Sequence, residues 1–177
     1  MSERKSYESA IKVKMLLLDV DGVMTDGGII IDDKGQELKV FHVRDGHGIK
    51  LLLRNGINVG IITGRTSAVV KKRAEELGIK DVYQGCHDKV MAYEKIKESH
   101  KLKDEEIGFI GDDIVDIPLL KRVGFPVAVA DATEETKAVA IYVTETRGGR
   151  GAVREVAEFI LKAKGLWKRV IDEYMEA

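Results

Sequence analysis

Four short segments of this 177-residue chain place carboxylates, a hydroxyl and an ammonium where apolar runs give way to polar residues. Asp19-Val20-Asp21-Gly22 follows the run Val13 to Leu18, and Thr63-Gly64-Arg65 ends the run Asn58 to Thr63. Lys89 opens a helix-spaced segment, and Gly111-Asp112-Asp113, with Asp116 just behind, follows Ile107 to Ile110. Converging aspartates repel one another unless a hard cation joins them, and oxygen-only ligands favour magnesium. A carboxylate approaches an anionic phosphate only when metal and cation offset the charge, a service that magnesium and Lys89 can provide. Asp19 is then a candidate nucleophile, forming an aspartyl phosphate that splits one hard hydrolysis into two easier steps. Asp21, two residues on, can protonate the departing alkoxide and later deprotonate the attacking water. Thr63 can donate to the phosphoryl oxygens, and Gly64 allows close backbone approach. The plain alternatives are helix caps for Asp112, Asp113 and Asp116, a surface lysine for Lys89 and a strand-end hydroxyl for Thr63.

Such a set works only if the fold gathers it at one edge. Val13 to Leu18 reads as a buried parallel strand running into a loop. Gly28 to Asp32 and Glu37 to Val43 read as a hairpin turning through Asp33-Lys34-Gly35. Asp45 can cap a helix that buries Ile49, Leu52 and Leu53 and stops at Asn55-Gly56. Strands over Asn58 to Thr63, Val82 to Gln84, Ile107 to Ile110, Val127 to Ala130 and Ile141 to Val143 alternate with helices over Ser67 to Leu77, Lys89 to Ser99, Ile117 to Val123 and Ala152 to Lys164. The pairs Leu166-Trp167 and Val170-Ile171 suggest one more amphipathic helix in the tail. This alternation predicts an α/β fold, a Rossmann-like, doubly wound, mostly parallel sheet with a small β-hairpin insertion. In such sheets ligands bind beyond the carboxyl ends of the strands, where all four segments fall. Between Asp21 and Thr63 there is room only for the hairpin and one helix, which predicts no large cap domain.

Length fits a single domain, with a core over about 13–164, the hairpin over about 28–43 and a tail over 165–177. Lys plus Arg number 29 against 30 Asp plus Glu, so no basic footprint for nucleic acid is expected. The one cysteine, Cys86, excludes an intramolecular disulfide framework and suits a reducing, cytoplasmic setting. No apolar run is long enough to span a bilayer, and the polar Met1 to Lys12 does not read as a signal peptide. Gly148 to Gly151 reads as a flexible turn before the last long helix, or as an anion cradle.

Asp19-Val20-Asp21-Gly22-Val23 with Thr25-Asp26-Gly27, then Thr63-Gly64-Arg65, Lys89 and Gly111-Asp112-Asp113 resemble, in order, the four motifs of the haloacid dehalogenase superfamily. Val43-Arg44-Asp45-Gly46, Tyr83-Gln84-Gly85, Asp112 to Asp116 and Gly148 to Glu155 are similar to the 3-deoxy-D-manno-octulosonate 8-phosphate phosphatase family, over roughly Val13 to Ala163. The resemblance implies Asp19 as nucleophile and Asp21 as acid and base that also offers magnesium a backbone carbonyl. It implies Asp112 as second carboxylate ligand, with Asp113 and Asp116 in an outer shell. It further implies that His42, Val43, Arg44, Asp45, Gly46, Lys50, Arg65 and Arg73 contact the sugar acid, joined by Asp21, Gly64 and Lys89 among the substrate contacts at the phosphate. It implies a homotetramer whose hairpins assemble around an axis, a contact that the apolar hairpin residues Ile29, Ile30 and Ile31 can build. The expected reaction is magnesium-dependent hydrolysis of the sugar phosphate for lipopolysaccharide precursors. Alternatives are a nonulosonate 9-phosphate phosphatase and, in another class, a receiver-like phospho-aspartate switch, against which the second acid Asp21 argues.

Overall fold

The centre of the molecule is β1 (Met15–Leu18), whose four apolar residues are all buried. In the computed structural model, which describes residues 3 to 176, it follows helix α1 (Glu3–Lys12). Then come the hairpin strands β2 (Ile30–Ile31) and β3 (Glu37–Leu38), α2 (Val43–Arg54), β4 (Asn58–Ile62), α3 (Ala68–Leu77), β5 (Asp81–Tyr83) and α4 (Lys89–Ser99). The second half holds β6 (Ile107–Gly111), a 3-10 turn at Ile114–Asp116, α5 (Ile117–Leu120), β7 (Phe125–Ala128), α6 (Glu134–Val139), β8 (Tyr142–Val143), α7 (Ala152–Ala163) and α8 (Trp167–Met175).

The main sheet runs β5-β4-β1-β6-β7-β8, with parallel pairing throughout. Successive side chains of a strand point to opposite faces, so β1 feeds two cores. Leu16 and Leu18 join Ile49, Leu52, Val156 and Ile160 beneath α2 and α7, while Met15 and Leu17 join Tyr93, Ile96, Phe109 and Leu119 beneath α4 and α5. Each such side chain contributes roughly 1.5–3 kcal/mol by leaving water. Register decides function here: Leu18 lies opposite Ile61 of β4 and Ile110 of β6. The residues that follow each strand, Asp19, Thr63 and Asp112, therefore emerge side by side.

Helix ends follow local signals. Ser67 accepts from the Val70 amide, Gly78 closes α3 in the left-handed region, and Asp88 accepts from the amides of Val90 and Met91 to start α4 at Lys89. Four expectations need correction. The hairpin strands are two residues each and do not reach Gly28 or Val43. The segment Ile117 to Val123 is a single α-turn preceded by a 3-10 turn, because Asp113 and Asp116 bind the local amides first. Helix α1, within a stretch read only for its polarity, packs Ala10 into the core; Met1, Ser2 and Ala177 lie outside the described residues. Finally, Asp45 does not cap its own helix: His42 holds that position without a side-chain bond, and buried Asp45 accepts from the amides of Gly151 and Arg154, capping α7 instead. The tail helix α8 buries Val170 and places the Tyr174 hydroxyl 2.8 Å from His47 Nε2 on α2. No helix among the described residues is long and apolar enough to cross a membrane.

Candidate active site

A cavity of about 280 Å3 opens at the carboxyl edge of the sheet. Asp19, Asp21, Asp112 and Asp113 wall one side, Thr63, Gly64 and Arg65 another, and Cys86, His87 and Lys89 the third. The loops after three adjacent strands thus meet the first turn of α4.

Lys89 organises the floor. Its Nζ stands 2.6 Å from Asp116 Oδ1 and 3.1 Å from Asp19 Oδ1, above the Phe109 ring, with its side chain only 6% exposed. Burial works against the ammonium, but Asp19 and Asp116 outweigh it and raise its pKa. Asp116 is fully buried; its Oδ2 accepts the Asp112 amide at 2.9 Å, so both of its oxygens are engaged. Burial lifts the Asp19 carboxyl to about 6, against the pull of Lys89 and with the push of Asp116. Asp112 is lifted to about 7, first by burial and then by Asp19 and Asp116 beside it. Gly22, at φ +88°, lets these groups crowd together, since a Cβ there would lie 2.0 Å from Asp112 Oδ2.

Carboxylate oxygens of Asp19, Asp112 and Asp116 lie within 4.8 Å of one another. Asp19 Oδ1 is buried and, among the described residues, accepts no hydrogen bond of good geometry. Beyond the Lys89 ammonium at 3.1 Å it has no partner among these residues, and raised, mutually repelling carboxyls are what a hard divalent cation relieves, so the donors fit magnesium. The Asp21 side chain is not part of this group. It turns toward Lys39 and Arg65, at 2.5 and 3.6 Å.

The residues expected around the sugar do not all reach this cavity. Gly64 and Arg65 line it, whereas His42, Asp45, Gly46 and Arg73 border a separate crevice with Phe41 and Leu77. Val43 is 78% exposed, and Arg44 and Lys50 project from α2 into solvent. Arg73 pairs with Glu76 at 2.8 Å, leaving its Nε and the His42 Nδ1 buried without a partner among the described residues. Sequence reasoning missed Lys39, whose only signal was a cation beside the hairpin. It also misread Gly148 and Gly149. They are buried, not a loose turn, and press on the loop after β1, where the Gly149 amide donates to Val23 O at 2.8 Å.

Comparison with known proteins follows the same lines. Residues 81–156 match the family model for haloacid dehalogenase-like hydrolases. The 3-deoxy-D-manno-octulosonate 8-phosphate phosphatase of Yersinia pestis is 46% identical over 89% of this chain and 84% of its own. This chain belongs to that phosphatase family. Membership makes it a haloacid dehalogenase-like phosphoric monoester hydrolase. The solved structure of the Moraxella catarrhalis phosphatase, in complex with magnesium ion, phosphate ion and KDO, has a TM-score of 0.96 at 40% identity, covering 98% of this chain and 99% of that one. The cobalt-bound phosphatase of Haemophilus influenzae has a TM-score of 0.87 at 39% identity, covering 90% and 93%. The family is magnesium-dependent, in keeping with the donor set of the cavity.

Proposed function

We propose that this chain hydrolyses 3-deoxy-D-manno-octulosonate 8-phosphate to the free sugar acid and inorganic phosphate, feeding lipopolysaccharide precursor biosynthesis in the cytoplasm. The observation that carries the reading is buried Lys89 held between Asp19 and Asp116, with Asp112 across the same cluster. Magnesium would be held by the Asp19 and Asp112 carboxylates and the Asp21 backbone carbonyl, where it would supply charge neutralisation at the phosphate oxygens. Asp19 attacks phosphorus while Asp21 gives its proton to the leaving sugar oxygen. Asp21 then takes a proton from water, which attacks the phospho-aspartate, frees phosphate and restores Asp19. Lys89, Thr63 and the backbone at Gly64 hold the phosphoryl oxygens. Asp116 fixes Lys89 and the Asp112 amide, and Asp113 caps the 3-10 turn through the Ile114 amide at 2.7 Å.

A substrate with a carboxylate besides its phosphate needs further cations. Arg65 is at hand; the cations Arg44, Lys50 and Arg73, with His42, Val43 and the backbone at Gly46, are assigned to the sugar acid across a subunit boundary in a homotetramer, Asp45 holding that segment to α7. Ile29, Ile30 and Ile31 are 58%, 46% and 60% exposed, an apolar hairpin face suited to a second copy of the chain. Hydrolysis of a nonulosonate 9-phosphate is the rival reading, since it shares the phosphoryl chemistry. Magnesium-dependent phosphate release is measured over a panel of sugar phosphates, with Asp19→Asn alongside. A selective rate on the octulosonate phosphate, abolished in the folded variant, is expected. Comparable rates on many unrelated phosphates, or full activity in Asp19→Asn, would refute the assignment.

A further inference from the structure

The carboxylate of Asp21 is held from the hairpin side of the cavity, not from the metal side. Its Oδ1 lies 2.5 Å from Lys39 Nζ, and its Oδ2 lies 3.6 Å from Arg65 Nε. Both cations also grip one further acid: Glu37 Oε1 is 3.3 Å from Lys39 Nζ and 2.6 Å from Arg65 Nη2. Asp21, Lys39, Glu37 and Arg65 thus close a ring of alternating charge. The ring joins the loop after β1, the second hairpin strand and the loop after β4. Its two cations differ sharply in setting, because the Lys39 side chain is 1% exposed and that of Arg65 is 44% exposed.

A lysine head group so fully withdrawn from water is costly unless carboxylates hold it, and here two do. Fastening a two-stranded hairpin would not require burying one of them at the acid and base of a reaction. A proton donor must stand within hydrogen-bond reach of the leaving oxygen, and about 1 Å of misplacement is enough to cost ~100-fold in rate. An unrestrained aspartate at a loop start has several rotamers and open solvent to turn into. With Oδ1 fixed by Lys39, the side chain has one orientation, and it borders the same cavity as Asp19.

We propose that Lys39 is a positioning residue for Asp21: it orients the carboxyl that protonates the leaving group, with Glu37 and Arg65 completing the ring. Catalysis is thereby tied to the order of the hairpin. The inference rests on the phosphatase reading above and adds to it a residue to which that reading gives no role.

The test exploits leaving groups. An alkoxide must be protonated as it departs, whereas p-nitrophenolate or acetate departs unaided. The ratio kcat/KM covers all steps through release of the leaving group and omits the later attack of water. It is measured for the parent, Lys39→Met and Lys39→Arg on the best alkyl phosphate, and on p-nitrophenyl phosphate or acetyl phosphate. Lys39→Met is expected to lose ~100-fold on the alkyl phosphate and less than about threefold on the activated one, since acid catalysis is not needed there. Lys39→Arg is expected to recover part of the alkyl rate, with the magnesium activation midpoint unchanged in both variants. Equal losses on the two substrate types would mean a merely structural lysine and would overturn the proposal; so would no loss on either. Should Lys39→Met fold poorly, Glu37→Gln leaves the lysine in place, loosens the ring and should show the same selectivity at smaller amplitude. A parent inactive on both substrate types would overturn the phosphatase reading and this proposal with it. A parent active on both, with unselective variants, overturns the role of Lys39 alone.

Discussion

Replacing Asp116 by asparagine separates the charge of the buried triad from its shape. Asp116 is 0% exposed; one oxygen takes the Lys89 ammonium at 2.6 Å and the other the Asp112 amide at 2.9 Å. Asparagine has one acceptor oxygen and one NH2 group, so whichever way it is turned, one donor faces another. Breaking a buried ion pair by removing one partner costs about 3–5 kcal/mol. Asp19 remains beside Lys89 at 3.1 Å, so the low end, about 3 kcal/mol, applies. For a domain of this size each kcal/mol moves Tm by roughly 2–4 °C, giving a fall of about 6–12 °C. Calorimetric melting with magnesium present is the assay, since the metal offsets the repulsion that Asp116 adds to its neighbours. Asp113→Asn is the control: Asp113 is exposed and its capping oxygen survives the change, so its effect should stay within about 0.5 kcal/mol. An Asp116→Asn melt within 2 °C of the parent, or one no lower than Asp113→Asn, would refute the reasoning.

Other consequences follow from the same geometry. With Asp112 near 7 and Asp19 near 6 in the metal-free protein, magnesium must displace protons, so its affinity should fall as pH drops below about 7; titration calorimetry in buffers of different ionisation enthalpy should register the released protons. Because these folded values lie above the unfolded value of about 3.9, the metal-free fold binds more protons than the unfolded chain. This contribution to stability is complete below pH ~4 and lost as pH rises through about 7, a slope that denaturant melts should show and magnesium should flatten. Gly149→Ala should cost about 2 kcal/mol or more in stability, because φ is +64° and a Cβ would lie 2.3 Å from the Asp26 nitrogen. Gly165→Ala, at φ +70° with open space around it, should cost only about 1 kcal/mol; equal melts for the two would contradict the packing described. Charging the hairpin with Ile30→Lys and Ile31→Lys should dissociate the proposed assembly in sedimentation experiments, and an unchanged sedimentation coefficient would count against it.

Much of this site was legible along the chain because its parts are local. A buried strand announces itself by its apolar run, and the residue after it must emerge at the sheet edge. Asp19, Thr63 and Asp112 were therefore placed at that edge by pattern, and Lys89 by the helical spacing of the segment it opens. Parallel register did the rest, as each strand end had one edge to reach. Misreadings arose where a side chain's partner is remote. Asp45 carries every mark of a cap for its own helix and instead serves amides 106 and 109 residues away. Gly148 and Gly149 read as a flexible turn because their tight contact is with the loop after β1, over a hundred positions earlier.

By itself, the sequence determined the α/β class and the order of the chemistry-bearing segments, since periodicity and motif spacing act within a few residues. Only the tertiary structure decided which charges share a dry environment. Nothing local distinguishes Lys39 from an edge lysine meant to keep a hairpin soluble. Its side chain is buried because a loop 18 residues earlier supplies Asp21 to pair with it beside Glu37, and burial turns an ordinary cation into a group that can fix a carboxylate in place.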